Sequence, residues 1–158
     1  MPIRRAIIAG TAIAGSLDLL SAFAFSAISG HGPVRVLQSV ASGPFGNPMF
    51  DYGLAAALLG LFVHYTLMTA MVTVYVAAAT QIDALLRHPA VMGMAYGFGI
   101  YLVMYWIVLP WRFPERFPQT GLWPVGNALF SHLICVGLPM GLVVARALRE
   151  GNDPPPSP

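Results

Sequence analysis

The sequence predicts an all-α, polytopic membrane protein: four transmembrane helices in one bundle, with a short interfacial helix in the first outer loop. Three observations predict it. Of the 158 residues, 57% are hydrophobic and 9% charged, where soluble domains carry roughly 25% charged residues. Four apolar stretches match the ~20 helical residues that a bilayer core of ~30 Å requires. The cations, all arginine, are shared unevenly between the segments that join those stretches.

The spans fall at about 6–28, 54–80, 90–109 and 122–145. The first begins like a signal peptide, with Arg4-Arg5, an apolar run and small residues around Ala22-Phe23-Ala24. A signal core is ~7–15 residues long and uncharged. This run is longer and holds Asp18 at its centre, so it is expected to stay as a true span. In the first loop Val34, Leu37 and Val40 recur at three-residue spacing opposite Arg35, Gln38 and Ser42. That pattern suits a helix lying flat on the membrane, and a plain loop stays open beside it. Trp106, Trp111 and Trp123 gather at one end of the third and fourth spans, as indoles do at a headgroup boundary. One domain is expected over 1–149, with the Pro-rich run at 150–158 as an extended tail.

The N-terminus, the second connection and the C-terminus share a side and carry Arg4, Arg5, Arg87, Arg146 and Arg149. Arg35, Arg112 and Arg116 lie opposite, on longer loops. The positive-inside rule then places both termini in the cytoplasm. No basic cluster exceeds Arg4-Arg5, so nucleic acid is not an expected partner. The lone Cys135 excludes an internal disulfide and any paired-cysteine motif. Hydrolase signatures are missing as well, and enzymatic activity is not expected.

Small residues predict the packing. The first span repeats Ala6, Gly10, Ala14, Asp18, Ala22 and Ser26 at four-residue spacing, a smooth stripe of the kind that lets membrane helices approach. Ile8, Ile13, Leu20 and Phe23 are left to face lipid, and Asp18 points into the bundle. Ala57, Gly60 and His64 share a face of the second span; Gly93 and Gly97 of the third, and Gly137 and Gly141 of the fourth, have GxxxG spacing. Generic close packing accounts for these glycines, and a homo-oligomer remains possible. Pro139 deletes the hydrogen bond to the Cys135 carbonyl and should kink the fourth span.

Three ionisable residues from three spans reach one level. Asp18 stands ~20 Å above Arg5, His132 ~21 Å above Arg146, and His64 ~22 Å above Ala79, at ~1.5 Å per residue. Charges at such depth turn inward and find partners, so a carboxylate held between two imidazoles in a buried cluster is expected. Burial favours the neutral forms and pairing the charged ones. Ser16 and Ser21 beside Asp18, and Asn127 and Ser131 before His132, extend the network. Thr66, Thr69 and Thr73 are expected to bond their own backbone. The trio admits four roles: an interhelical clamp, a proton-linked transport site with Asp18 as carrier, axial histidines for a haem, or a divalent-metal site. No cofactor is required by any motif.

The segments GSLDLL, VLQSVASGPFG, LLGLFVHY, YGFGIYLVMYWIVLP and NALFSHLICVGLP together resemble the YagU-like proteins, small bacterial inner-membrane proteins, from about Gly10 to Arg146. The resemblance implies an integral inner-membrane protein with a link to acid tolerance; it brings no reaction and no catalytic residues. A weaker likeness joins Asp18 to the acidic residue in the first span of small multidrug transporters. The longer outer loops and the two histidines depart from that pattern.

Overall fold

A computed structural model describes residues 2–150, and the proline run of the expected tail lies outside the described residues. Among the described residues the chain is helical without strands. Four helices are long and apolar enough to cross a membrane: α1 (Pro2–Ile28), α3 (Gly53–Ala79), α5 (Pro89–Arg112) and α6 (Leu122–Glu150). Two short helices join them, α2 (Pro33–Phe45) and α4 (Asp83–Arg87). The helices start where proline or glycine permits. Pro33 and Pro89 open α2 and α5, where a missing N–H costs nothing. α1 stops at a turn in which Gly30 takes φ +76°, a conformation that a side chain would oppose.

α1 sits between α3 and α6, while α5 packs on α6. The packing surfaces are the small residues. Gly10 of α1 lies against Val72 and Val144, and Gly15 against Tyr65 and Met68. The two GxxxG pairs meet each other within the chain. A Cβ at Gly93 would strike the Gly137 carbonyl oxygen, and a Cβ at Gly137 would strike that of Gly93. Backbone therefore touches backbone along the α5–α6 seam. The bulky residues expected to face outward do so: Ile8, Ile13 and Leu20 are exposed, although Phe23 is half-buried.

The two ends of the molecule differ. At the end bearing both termini the helices enclose a dense core of Met68, Val72, Tyr75, Val76, Met140 and Val144. Arg5 and Arg146 pair with Glu150 at 3.0 and 2.7 Å, and Arg149 donates to the Leu86 carbonyl, so the N-terminus, α4 and α6 meet there. At the loop end the long helices separate. α2 bridges part of this opening, and it does not bury the face its apolar spacing suggested. Gln38, Ala41 and Ser42 are buried and Val34 is exposed. Backbone polarity explains the inversion. Gln38 donates to the Gly53 carbonyl at 3.1 Å, Arg112 donates to the Gly43 and Ser42 carbonyls at the helix end, and Gly60 admits the Leu37 carbonyl against α3.

The kink expected at Pro139 takes a specific form. Residues Phe130–Gly137 form a wide π-turn in which the Leu138 N–H donates to the Leu133 carbonyl, five residues back. A second π-turn, Met104–Val108, precedes Pro110 in α5. Each proline withholds the N–H that a carbonyl inside the wide turn would have received, and such turns gather at functional sites.

Candidate functional site

The loop-end opening is a cavity of about 700 Å³, lined by all four long helices together with α2 and the loop before α6. Asp18, His64 and His132 all line it. The three sequence-selected residues therefore converge on one space, but that space is not the sealed interior expected of a buried cluster. His64 is 8% exposed, whereas the Asp18 side chain is 23% exposed and His132 half-buried. The reason is the separation of the helices above the core, which leaves the polar groups on a cavity wall.

His64 reaches the site because Ala57, Gly60 and His64 share the buried face of α3. Its Nε2–H donates to the Gly15 carbonyl at 3.0 Å, joining α3 to α1. In the neutral ring that bond leaves Nδ1 with a lone pair, and Nδ1 faces Asp18 Oδ2 at 3.9 Å. A shift of about 1 Å would make this a hydrogen bond. Two lone pairs cannot bond to each other. The pair is suited to one proton, carried either as carboxylic acid beside imidazole or as carboxylate beside imidazolium.

His132 does not complete the expected trio. Among the described residues, Asp18 comes within 4.0 Å of His64 alone for an ion pair. The His132 Nδ1–H is turned to the Ala128 carbonyl of its own helix, at 2.8 Å, and the ring stands edge-on to Tyr101 and Tyr105 with centroids 6.2 and 5.6 Å away. His132 lies within the π-turn Phe130–Gly137.

The secondary polar residues divide. Ser21 bonds Ser131 across the α1–α6 seam at 2.8 Å, also donates to the Asp18 carbonyl, and Ser131 lies 3.4 Å from Asn127 Oδ1. Ser16 belongs elsewhere: its hydroxyl pairs with Tyr65 at 2.8 Å. Thr66, Thr69 and Thr73 each donate to the carbonyl four residues back.

Arg35, Tyr105 and Arg116 also line the cavity, and none of them was selected as a site residue from the sequence. Arg35 and Arg116 entered there as topology charges, and Arg35 also on the polar side of the first-loop helix. Arg35 lies 4.0 Å over the Phe50 ring. Among the described residues neither arginine pairs with a carboxylate. The signal for Tyr105 was Pro110, five residues on, which marks a widened turn.

Among the described residues, no three His, Cys, Asp or Glu side chains gather to hold a metal ion. Each histidine bonds a backbone carbonyl through one ring nitrogen, which leaves Nδ1 of His64, 3.9 Å from Asp18, and Nε2 of His132 as the nitrogens that could ligate a haem. The chain matches no protein-family model, no curated protein and no solved structure.

Proposed function

We propose that the chain is an integral protein of the bacterial inner membrane that admits a small solute into its loop-end cavity, with binding linked to protonation of the Asp18–His64 pair. Proton-coupled transport is the activity this arrangement serves best. One observation carries the proposal: ionisable side chains from three long helices line a single cavity, and two of them face each other in a geometry suited to one proton.

Membrane insertion is supported by the apolar outer surface, on which Leu20, Leu58, Phe62 and Ile107 are all exposed. Burying that surface in lipid removes a cost that water would impose. Arg4, Arg5, Arg87, Arg146 and Arg149 at the terminal end, against Arg35, Arg112 and Arg116 at the loop end, favour cytoplasmic termini and a cavity that opens outward. Kinship with the YagU-like proteins belongs to the same proposal and agrees with this location.

A second reading has its own observation. The His64 bond to the Gly15 carbonyl ties two helices whatever the proton does, so the cluster also serves as a clamp. The two readings separate in a titration. In nanodiscs, the Asp18 carboxyl carbon and the His64 ring nitrogens, followed by nuclear magnetic resonance, are expected to titrate in step. Asp18→Asn should then change the His64 curve and abolish proton-linked flux in proteoliposomes. Independent curves, or unchanged flux, would leave only the clamp.

A further inference from the structure

α3 and α5 pack little against each other, chiefly through the Tyr75 and Tyr96 rings, whose centroids lie 5.0 Å apart. They are tied at two levels. Towards the termini the Tyr96 hydroxyl donates to the Met71 carbonyl at 2.8 Å, and at the loop end α2 lies on α3 while Arg112 of α5 holds its last turn. Between these ties, apolar side chains of both helices line the cavity: Leu67, Met68 and Met71 from α3, Met104 and Leu109 from α5. Leu67 lines it and is 44% exposed. The gap between α3 and α5 thus borders the cavity as a side window, and Arg35 and Arg116 line the same cavity with no carboxylate partner among the described residues.

A water-soluble solute needs the mouth but not the window. The volume of about 700 Å³ falls within the ~300–1,000 Å³ of small-molecule sites, which suits a single-chain solute. We infer that the solute is a single-chain anionic amphiphile of the fatty-acid class, its acid group between Arg35 and Arg116 and its chain against the α3–α5 window. The two guanidiniums supply charge-assisted hydrogen bonds to the head, and the thioethers of Met68, Met71 and Met104 make an adaptable wall for the chain.

This inference rests on the cavity being the solute site proposed above. The test is binding of tritiated oleate to the protein in phosphatidylcholine nanodiscs, with empty nanodiscs as background. Saturable binding at one site is expected. Methyl oleate and acetate should each compete at least about tenfold less well than oleate. The Arg35→Gln/Arg116→Gln variant should bind about tenfold more weakly. Both arginines are exposed, so the fold should survive this change. Leu67→Trp, which fills the window, should weaken oleate binding while the arginines stay in place. Acetate competing as well as oleate, methyl oleate doing so, or no saturable binding above background would each overturn the inference. The Asp18–His64 titration on the same samples separates the two proposals. Absent oleate binding beside coupled titration removes the amphiphile alone, whereas oleate binding beside uncoupled titration keeps the amphiphile and removes the proton link.

Discussion

Replacing Gly97 by alanine adds one methyl group where the seam has no room. A Cβ there would strike the His132 carbonyl oxygen and come within 3.0 Å of its carbon and 3.1 Å of the Gly137 Cα. Every obstacle is backbone, so no rotamer change relieves the overlap and α5 must move away from α6. Overpacking of this kind costs ~1–3 kcal/mol, and with rigid atoms on both sides the upper half of that range applies. Alanine in place of helical glycine returns ~0.5–1 kcal/mol, which leaves a net loss of about 1–2.5 kcal/mol. At roughly 2–4 °C per kcal/mol, Tm in detergent should fall by about 2–10 °C. Gly99 is the control, two residues along the same helix, exposed, with nothing within 4 Å of an added Cβ. Gly99→Ala should raise Tm by about 1–4 °C. The opposite signs are the test, read by circular dichroism on heating. Equal shifts in the two variants would refute a backbone-to-backbone seam between α5 and α6.

Three further outcomes follow from the polar contacts. His64→Phe keeps the ring's bulk but loses the bond to Gly15, so it should cost ~0.5–1.5 kcal/mol; His64→Gln, which retains an N–H donor, should lose less, and equal losses in thermal unfolding would contradict the clamp. A double-mutant cycle of Ser21→Ala and Ser131→Ala should give a coupling near ~0.6 kcal/mol, typical of hydrogen bonds between membrane helices, and zero coupling would deny the bond across the α1–α6 seam. Arg112→Gln removes the cap on the end of α2, so hydrogen exchange should quicken in α2 and not in α3; unchanged exchange would show that the cap holds nothing.

The long helices were legible because a run such as Gly53–Ala79 is apolar throughout and needs no partner to declare itself. The small-residue stripes were legible for a related reason: Gly93, Gly97, Gly137 and Gly141 mark where backbones can approach. Their spacing does not say which stripe meets which, and that pairing needed the structure. α2 shows where periodicity misleads. Val34, Leu37 and Val40 suggested an apolar underside, yet the helix-end carbonyls of Ser42 and Gly43 and the Gln38 amide decided which side is buried. Equal depth brought Asp18, His64 and His132 to one level, but depth along a helix does not give azimuth. His132 turns to Ala128 and the tyrosines, and His64 is left facing Asp18. The cavity itself had no sequence signal, because it is a space that the helices fail to fill and not a property of any one segment.

The central claim is that an outward-facing, water-reached cavity extends to the level of the Asp18–His64 pair. Its most direct test is His132→Cys in a Cys135→Ser background, treated in right-side-out vesicles with a membrane-impermeant thiosulfonate. Residue 132 lies ~15 Å along α6 from Leu122, beyond the reach of a reagent confined to the surface. Modification from the outside is the predicted result. A cysteine that stays unmodified from the outside, or reacts only once the inner face is exposed, would contradict the cavity and the proton-linked function built on it.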